Sequence, residues 1–457
     1  MGVSLERLST ISAAQLGRLY LAGAVDPVVV LEWTLERIRA YDDRAVFLAL
    51  SEERARREAQ ASLDRYRAGA PLGPLDGVPI AWKDLFDMAG MTTTAGSALR
   101  RNASPAAADA TVVRHLAAAG MVSVGKTNLT EFAYSGIGLN PHFGSPRNPH
   151  DRVVPRIPGG SSSGSAVAVA AGLVPCAMGT DTGGSVRIPA ALNGIVGLKT
   201  AEGRIHKGGV FPLSVTLDTV GPLARTVEDC VLLDAAMQGH ICPDLRRVEV
   251  SAFSLVVPEN LVFDDADDAV VANFEAAVER LARHGVRVTR RRIPMLDEVM
   301  RVTSEHGTLT SAEAYHLHRD LVEGPDAGRI DPRVVARISG GKRMSAYSLL
   351  VIHETQARLR PAMAAELDGA LLAMPTVPHT APEIAPLEAD AELFHKANLK
   401  TLRNTMLGNV LDLCGVSLPS GRDGKGLPTG ILFSAPGPTQ NRLMAAALAI
   451  EAVLVED

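Results

Sequence analysis

A run of serines between glycines, Gly159-Gly160-Ser161-Ser162-Ser163-Gly164, leads directly into the apolar stretch SAVAVAAGL. Three readings fit these residue types. As composition alone, the run is a flexible linker. As spacing, Gly160 to Gly164 satisfies the G-x-S-x-G nucleophile elbow, with Ser162 as the attacking residue. As a glycine-rich turn capping a buried helix, it would hold one serine against a buried base. A second run, Gly120-Met-Val-Ser-Val-Gly-Lys126-Thr127, satisfies the GxxxxGK(S/T) phosphate loop. Histidines that could serve as a base stand at His316 and His318, in AYHLHRD.

Context decides among these readings. A phosphate loop needs a strand before it and flexible residues within it. Here a helical pattern, ADATVVRHLAAAG, precedes the run, and Met121, Val122 and Val124 inside it are apolar, as in a buried strand that ends in a turn. An elbow follows a central strand, but HDRVVPRIPG carries Pro155 and Pro158, which such a strand does not tolerate. His316 and His318 read as a solvated helix face, so a Ser–His pair has no evident base. The linker reading fails because a tether does not run into an apolar helix that must be buried. A turn that presents a serine survives.

The elements that must position such a turn are legible around it. Residues 1–70 read as helices: Ser12 and Gln15 form a capping box before AAQLGRLYLAG, and Asp26-Pro27 starts a second helix. From 71 to 240, short apolar strands alternate with glycine-rich turns and small-residue helices. Residues 250–295 read as strand, helix and strand, a βαβ unit. Residues 300–400 are more polar and less regular, and LPTGILF followed by NRLMAAALAIEAVLVE closes the chain as strand and helix.

The 457 residues, 46% hydrophobic and 21% charged with net charge −5, are those of an ordinary soluble globular protein. No basic run beyond Arg290-Arg291-Arg292 suggests a nucleic-acid footprint. The four cysteines, Cys176, Cys230, Cys242 and Cys414, are scattered, which argues against a zinc site or a disulfide scaffold and fits a reducing cytoplasm. The N-terminus does not read as a signal peptide. The longest apolar stretch, 166–178, is too short to span a bilayer and holds Pro175.

Three long blocks then belong together: GVPIAWKDLFDMAGMTTTAGS (77–97), GKTNLTEFAYSGIGLNPHFGSPRNP (125–149) and GGSSSGSAVAVAAGLVPCAMGTDTGGSVRIPAALNGIVGLKT (159–200). In order and content they resemble the amidase signature family. That resemblance implies a Ser–Ser–Lys triad: Ser185 as nucleophile, Ser161, 24 residues upstream, as a bridging serine usually held by a cis peptide, and Lys83 as buried base. It implies an oxyanion hole from the N–H groups of Thr182, Gly183, Gly184 and Ser185. The chemistry agrees. Lys83 ends the apolar run VPIAW, so desolvation should lower its pKa and free its lone pair. Ser161 can then accept from one hydroxyl and donate to the amine. Asp181 and Arg187 read as an internal ion pair supporting the loop, with Ser162 also in support, and Tyr134, after TEFA, as the best single substrate contact.

The expectation is therefore one α/β domain over 1–457, a mixed twisted sheet surrounded by helices. It comprises a helical part (1–70), the signature core (71–240) and a variable, substrate-shaping region (250–400). The expected activity is cytoplasmic hydrolysis of a carboxamide, or a carbamate- or urea-type C–N bond, through an acyl-Ser185 intermediate, with no metal or cofactor. The expected partner is a small-molecule amide rather than nucleic acid or membrane, with homodimerisation left open. The alternative within the same family is the glutaminase component of a tRNA-dependent amidotransferase, its A subunit.

Overall fold

The βαβ pattern at 250–295 folds as read. In the computed structural model, which describes residues 5–243 and 248–455, strands Ser254–Pro258 and Arg287–Arg291 lie parallel on either side of the helix Asp268–Arg283 in sequence. They form one end of a single 11-stranded sheet. In chain order its strands are β1 (Phe47–Leu50), β2 (Pro79–Lys83), β3 (Val122–Thr127), β4 (Cys176–Asp181), β5 (Val196–Lys199) and β6 (Thr219–Ala224). There follow β7 (Ser254–Pro258), β8 (Arg287–Arg291), β9 (Leu371–Pro375), β10 (Leu413–Arg422) and β11 (Pro428–Pro436). Their spatial order is β1-β3-β2-β4-β6-β5-β10-β11-β9-β7-β8. The sheet is mixed: β3, β2 and β4 run parallel, as do β9, β7 and β8, and the strands between them are antiparallel.

Helices cover both faces, and strand alternation divides the core between them. Ile80 and Trp82 of β2 pack into one apolar layer, and Ala81 into the other, against Ala166 and Val167 of the helix Ser163–Ala170. Lys83 continues the Ala81 side of β2, at the strand end where that helix begins. At the N-terminus the capping box is formed as the sequence indicates, with Ser12 and Gln15 bonded reciprocally, and Pro27 opens the next helix. The segment read as purely helical also holds β1, a short edge strand.

The expectation that 300–400 is irregular is corrected. The helices Pro294–His306, Leu309–Val322, Pro332–Gly340, Ala346–Leu367 and Ala391–Val410 fill most of it. Several of their apolar residues, among them Val302, Leu309 and Ile352, pack together and also line a cavity. A second correction concerns His318: only His316 is exposed. His318 is buried against the rings of Phe132 and Phe211, at 5.5 and 5.3 Å, which also lie 5.8 Å from each other, and its Nε2 meets the carbonyl of Pro212. No described helix is long and apolar enough to cross a membrane.

Candidate active site

Lys83 ends a strand buried along its whole length, between two parallel neighbours. Its side chain is wholly removed from solvent. Nζ donates to Ser161 Oγ at 2.7 Å and to Thr180 Oγ1 at 2.8 Å. Among the described residues no carboxylate lies within ion-pair distance of it. Burial lowers its pKa to about 7, against a weaker upward pull from Asp218 and Asp181. An amine poised there is partly neutral near pH 7, and in that form it can accept from the Ser161 hydroxyl across the same contact.

Ser161 is equally buried and follows a cis peptide from Gly160. Its carbonyl accepts from the Thr130 N–H at 3.2 Å. The next residue, Ser162, is the N-cap of the 163–170 helix, and its N–H donates to the Ser185 carbonyl at 3.3 Å. That bond fixes the serine turn against the loop after β4, joining residues 23 apart in sequence. Ser162 Oγ turns to the Thr180 carbonyl, 3.4 Å away. The structure thus brings Lys83, Ser161 and the Ser185 loop together.

Asp181, at the end of β4, organises that loop. Its carboxylate accepts from the N–H groups of Gly184 (2.8 Å) and Val186 (3.1 Å), from Arg187 Nε (3.0 Å) and Nη2 (2.8 Å), and from Asn409 Nδ2 (3.0 Å). Burial alone would raise its pKa, but the Arg187 guanidinium holds it well below the usual carboxylate range. Asp181 and Arg187 are both fully buried and form the ion pair expected of them. Gly184 is a correction: expected among the oxyanion donors, its N–H is taken by Asp181. Its glycine identity has another cause. At φ +133° an added Cβ would stand 2.1 Å from Thr405 Oγ1. The N–H groups of Thr182, Gly183 and Ser185 meet no backbone acceptor among the described residues.

Side chains that the sequence did not mark steady this loop. Thr405 Oγ1, on the 391–410 helix, donates to the Gly183 carbonyl at 2.7 Å. Thr182 Oγ1 donates to Asp218, which also accepts from the N–H groups of Leu213 and Ser214. Thr180 lies within the third block and Asp218 beyond it, and nothing in their spacing marks these contacts. Thr405 and Asn409 lie more than 200 residues away in sequence.

Ser185, Thr182 and Gly183 open onto a cavity of about 490 Å³. Its wall is mostly apolar, including Leu213, Val302, Leu309, Ile352, Leu402 and Met406. Tyr134 lines it as well, its hydroxyl 2.9 Å from Ser311 Oγ and the guanidinium of Arg337 over its ring at 4.5 Å. The phosphate-loop match lies apart: Lys126 sits in β3, ion-paired with Asp84 at 2.7 Å. No three His, Cys, Asp or Glu side chains converge to hold a metal among the described residues.

A sequence model described as Amidase matches residues 29–444. The 2-amino-5-chloromuconic acid deaminase of Comamonas testosteroni is 37% identical over 406 residues, covering 88% of this chain and 87% of that protein. The A subunit of the glutamyl-tRNA(Gln) amidotransferase of Salinispora arenicola (strain CNS-205) is 32% identical, covering 98% of each. A crystal structure of an amidase superposes with a TM-score of 0.86 at 32% identity, covering 97% of this chain and 100% of that one.

Proposed function

This chain belongs to the amidase (amidase signature) family, a hydrolase acting on C–N bonds, and from that premise we propose that it cleaves a carboxamide through an acyl-enzyme on Ser185. The observation that carries the reading is the buried contact between Lys83 Nζ and Ser161 Oγ, 2.7 Å, with no carboxylate at the amine. Neutral Lys83 takes the proton of Ser161 as Ser161 takes that of Ser185, and Ser185 Oγ adds to the carbonyl carbon. The oxyanion is met by the N–H groups of Thr182, Gly183 and Ser185. Each donor of this kind is worth about 2.7–4 kcal/mol in hydrolases where one has been removed. The proton returns from Lys83 through Ser161 to the nitrogen, the C–N bond breaks, and ammonia or an amine leaves. Water then adds to the acyl carbon by the same relay, and Ser185 departs with its proton restored.

A fluorophosphonate probe tests this directly. Its adduct is expected on Ser185, absent in Ser185→Ala; an adduct on Ser161 or Ser162 would overturn the assignment.

A second reading, the glutaminase component of an amidotransferase, is favoured by the near full-length match to proteins of that name. Glutamine hydrolysis that appears only with companion chains is its signature. Ammonia release by the isolated chain from simple amides supports the first reading.

A further inference from the structure

The cavity that Ser185 opens onto runs along the Ala391–Val410 helix. Leu402 lies beside Gly183, and Met406 and Val410 continue the same wall. Between Leu402 and Val410 the helix rises about 12 Å. At the Val410 end the wall carries Thr355 and Gln356, neighbours on the Ala346–Leu367 helix and each only 7% exposed. Gln356 Nε2 meets the Val410 carbonyl at 3.5 Å, a long contact that the carbonyl shares with Arg360 Nε at 3.2 Å. A carbonyl only accepts, so the amide nitrogen is the end that faces it, and Oε1 is left over. Neither that oxygen nor the Thr355 hydroxyl has a hydrogen-bond partner among the described residues.

Buried polar groups are ordinarily paired, and a ligand that displaces water from this end must remake those bonds or leave them unmade. The surroundings offer no substitute, because Val299 and Val410 of the same wall pack into one apolar cluster with Leu359. Charge is not what this end is built for. Arg360 is held by Glu202 through contacts of 2.9 and 3.1 Å, and no aspartate or glutamate is among the described residues lining the cavity. A charged group brought beside Gln356 would meet a neutral amide and a hydroxyl, too little to offset its desolvation.

We propose that Gln356, with Thr355 beside it, is a specificity-determining residue that reads the far end of the substrate: an amide joined, through an apolar chain lying along Leu402 and Met406, to a second, uncharged hydrogen-bonding group. Linear diamides are the simplest members of this class. The proposal rests on the reading of Ser185 as the nucleophile for which end of the molecule reacts.

Calorimetric binding to the Ser185→Ala protein, which on that reading holds an amide without cleaving it, is the test. Adipamide, suberamide and sebacamide bracket the span of the cavity. Each is paired with the monoamide in which a methyl replaces the second carboxamide: hexanamide, octanamide and decanamide. At the chain length that reaches Gln356, the diamide is expected to bind about tenfold more tightly than its monoamide, the order of one buried polar group left unpaired. Adding Gln356→Leu, or Gln356→Met as a second apolar replacement, should bring that ratio to one or below, and Thr355→Val should lower it less. The ratio is taken within one preparation, so a smaller folded fraction does not move it. Monoamides binding as tightly as diamides at every length, or no binding by any of these amides, overturns the proposal whatever the variants do to folding. A preference that survives both Gln356 variants overturns the assignment to Gln356. A fluorophosphonate adduct away from Ser185 strikes the nucleophile assignment and not this one, because the binding order does not depend on which atom reacts.

Discussion

Lys83 and Lys126 end neighbouring parallel strands, and both are buried to 1% exposure or less. Register pairs Lys83 with Thr127 and Lys126 with Trp82, so the two amines leave the sheet on opposite faces. Lys126 meets Asp84 at 2.7 Å, Thr93 Oγ1 at 2.8 Å and the Thr92 carbonyl at 3.0 Å. Lys83 meets two hydroxyls and no carboxylate. Asp84 follows Lys83 in sequence, yet strand alternation sends it to the other face, where it serves Lys126. Burial therefore does not by itself make a base. What separates the two lysines is whether a counter-ion is in contact.

Substituting each lysine should separate them. Lys83→Ala is expected to lower kcat about 10³- to 10⁴-fold, the upper range for loss of a general base. Its melting temperature should change little, because no buried charge is left without a partner; turnover and thermal melts on one preparation check both halves. Lys126→Ala should do the reverse. It strands Asp84 and is expected to cost about 3–5 kcal/mol of stability, read by denaturant titration, with the folded fraction still turning over. Adding Asp84→Asn to Lys126→Met should recover much of that loss, since it removes the stranded charge while the amide oxygen can still accept from Thr94.

The mildest perturbation is pH. On the proposed relay the neutral amine is the working form of Lys83, so kcat/KM should fall about tenfold per unit as pH drops below about 7. The Lys126 variants should keep this acid limb. A limb that moves with Lys126 and not with Lys83 would reverse the comparison.

Much of this is legible in the residues alone. The three blocks hold Lys83, Ser161 and Ser185 in order, and the prolines before Ser162 exclude an elbow. Strand and turn patterning brings out the βαβ unit and the closing strand and helix. The remainder depends on direction and distance. Gly184 looks like an oxyanion donor by type, but which way an N–H points is set by Asp181, which takes it. His318 sits beside the charged Arg319 and Asp320 and reads as solvated, until Phe132 and Phe211 arrive from more than 100 residues away. Arg337 stands on a short helix, and its place over the Tyr134 ring at the cavity wall is a property of the assembled fold, invisible to local pattern.

The 391–410 helix carries two adjacent stripes. Thr405 and Asn409 grip the Gly183–Asp181 loop, while Leu402, Met406 and Val410, offset by three or four residues, line the cavity. A substitution in the second stripe would change the cavity wall and leave the contacts of the first in place. One helix thus separates the shape of the cavity from the support of the loop beside it.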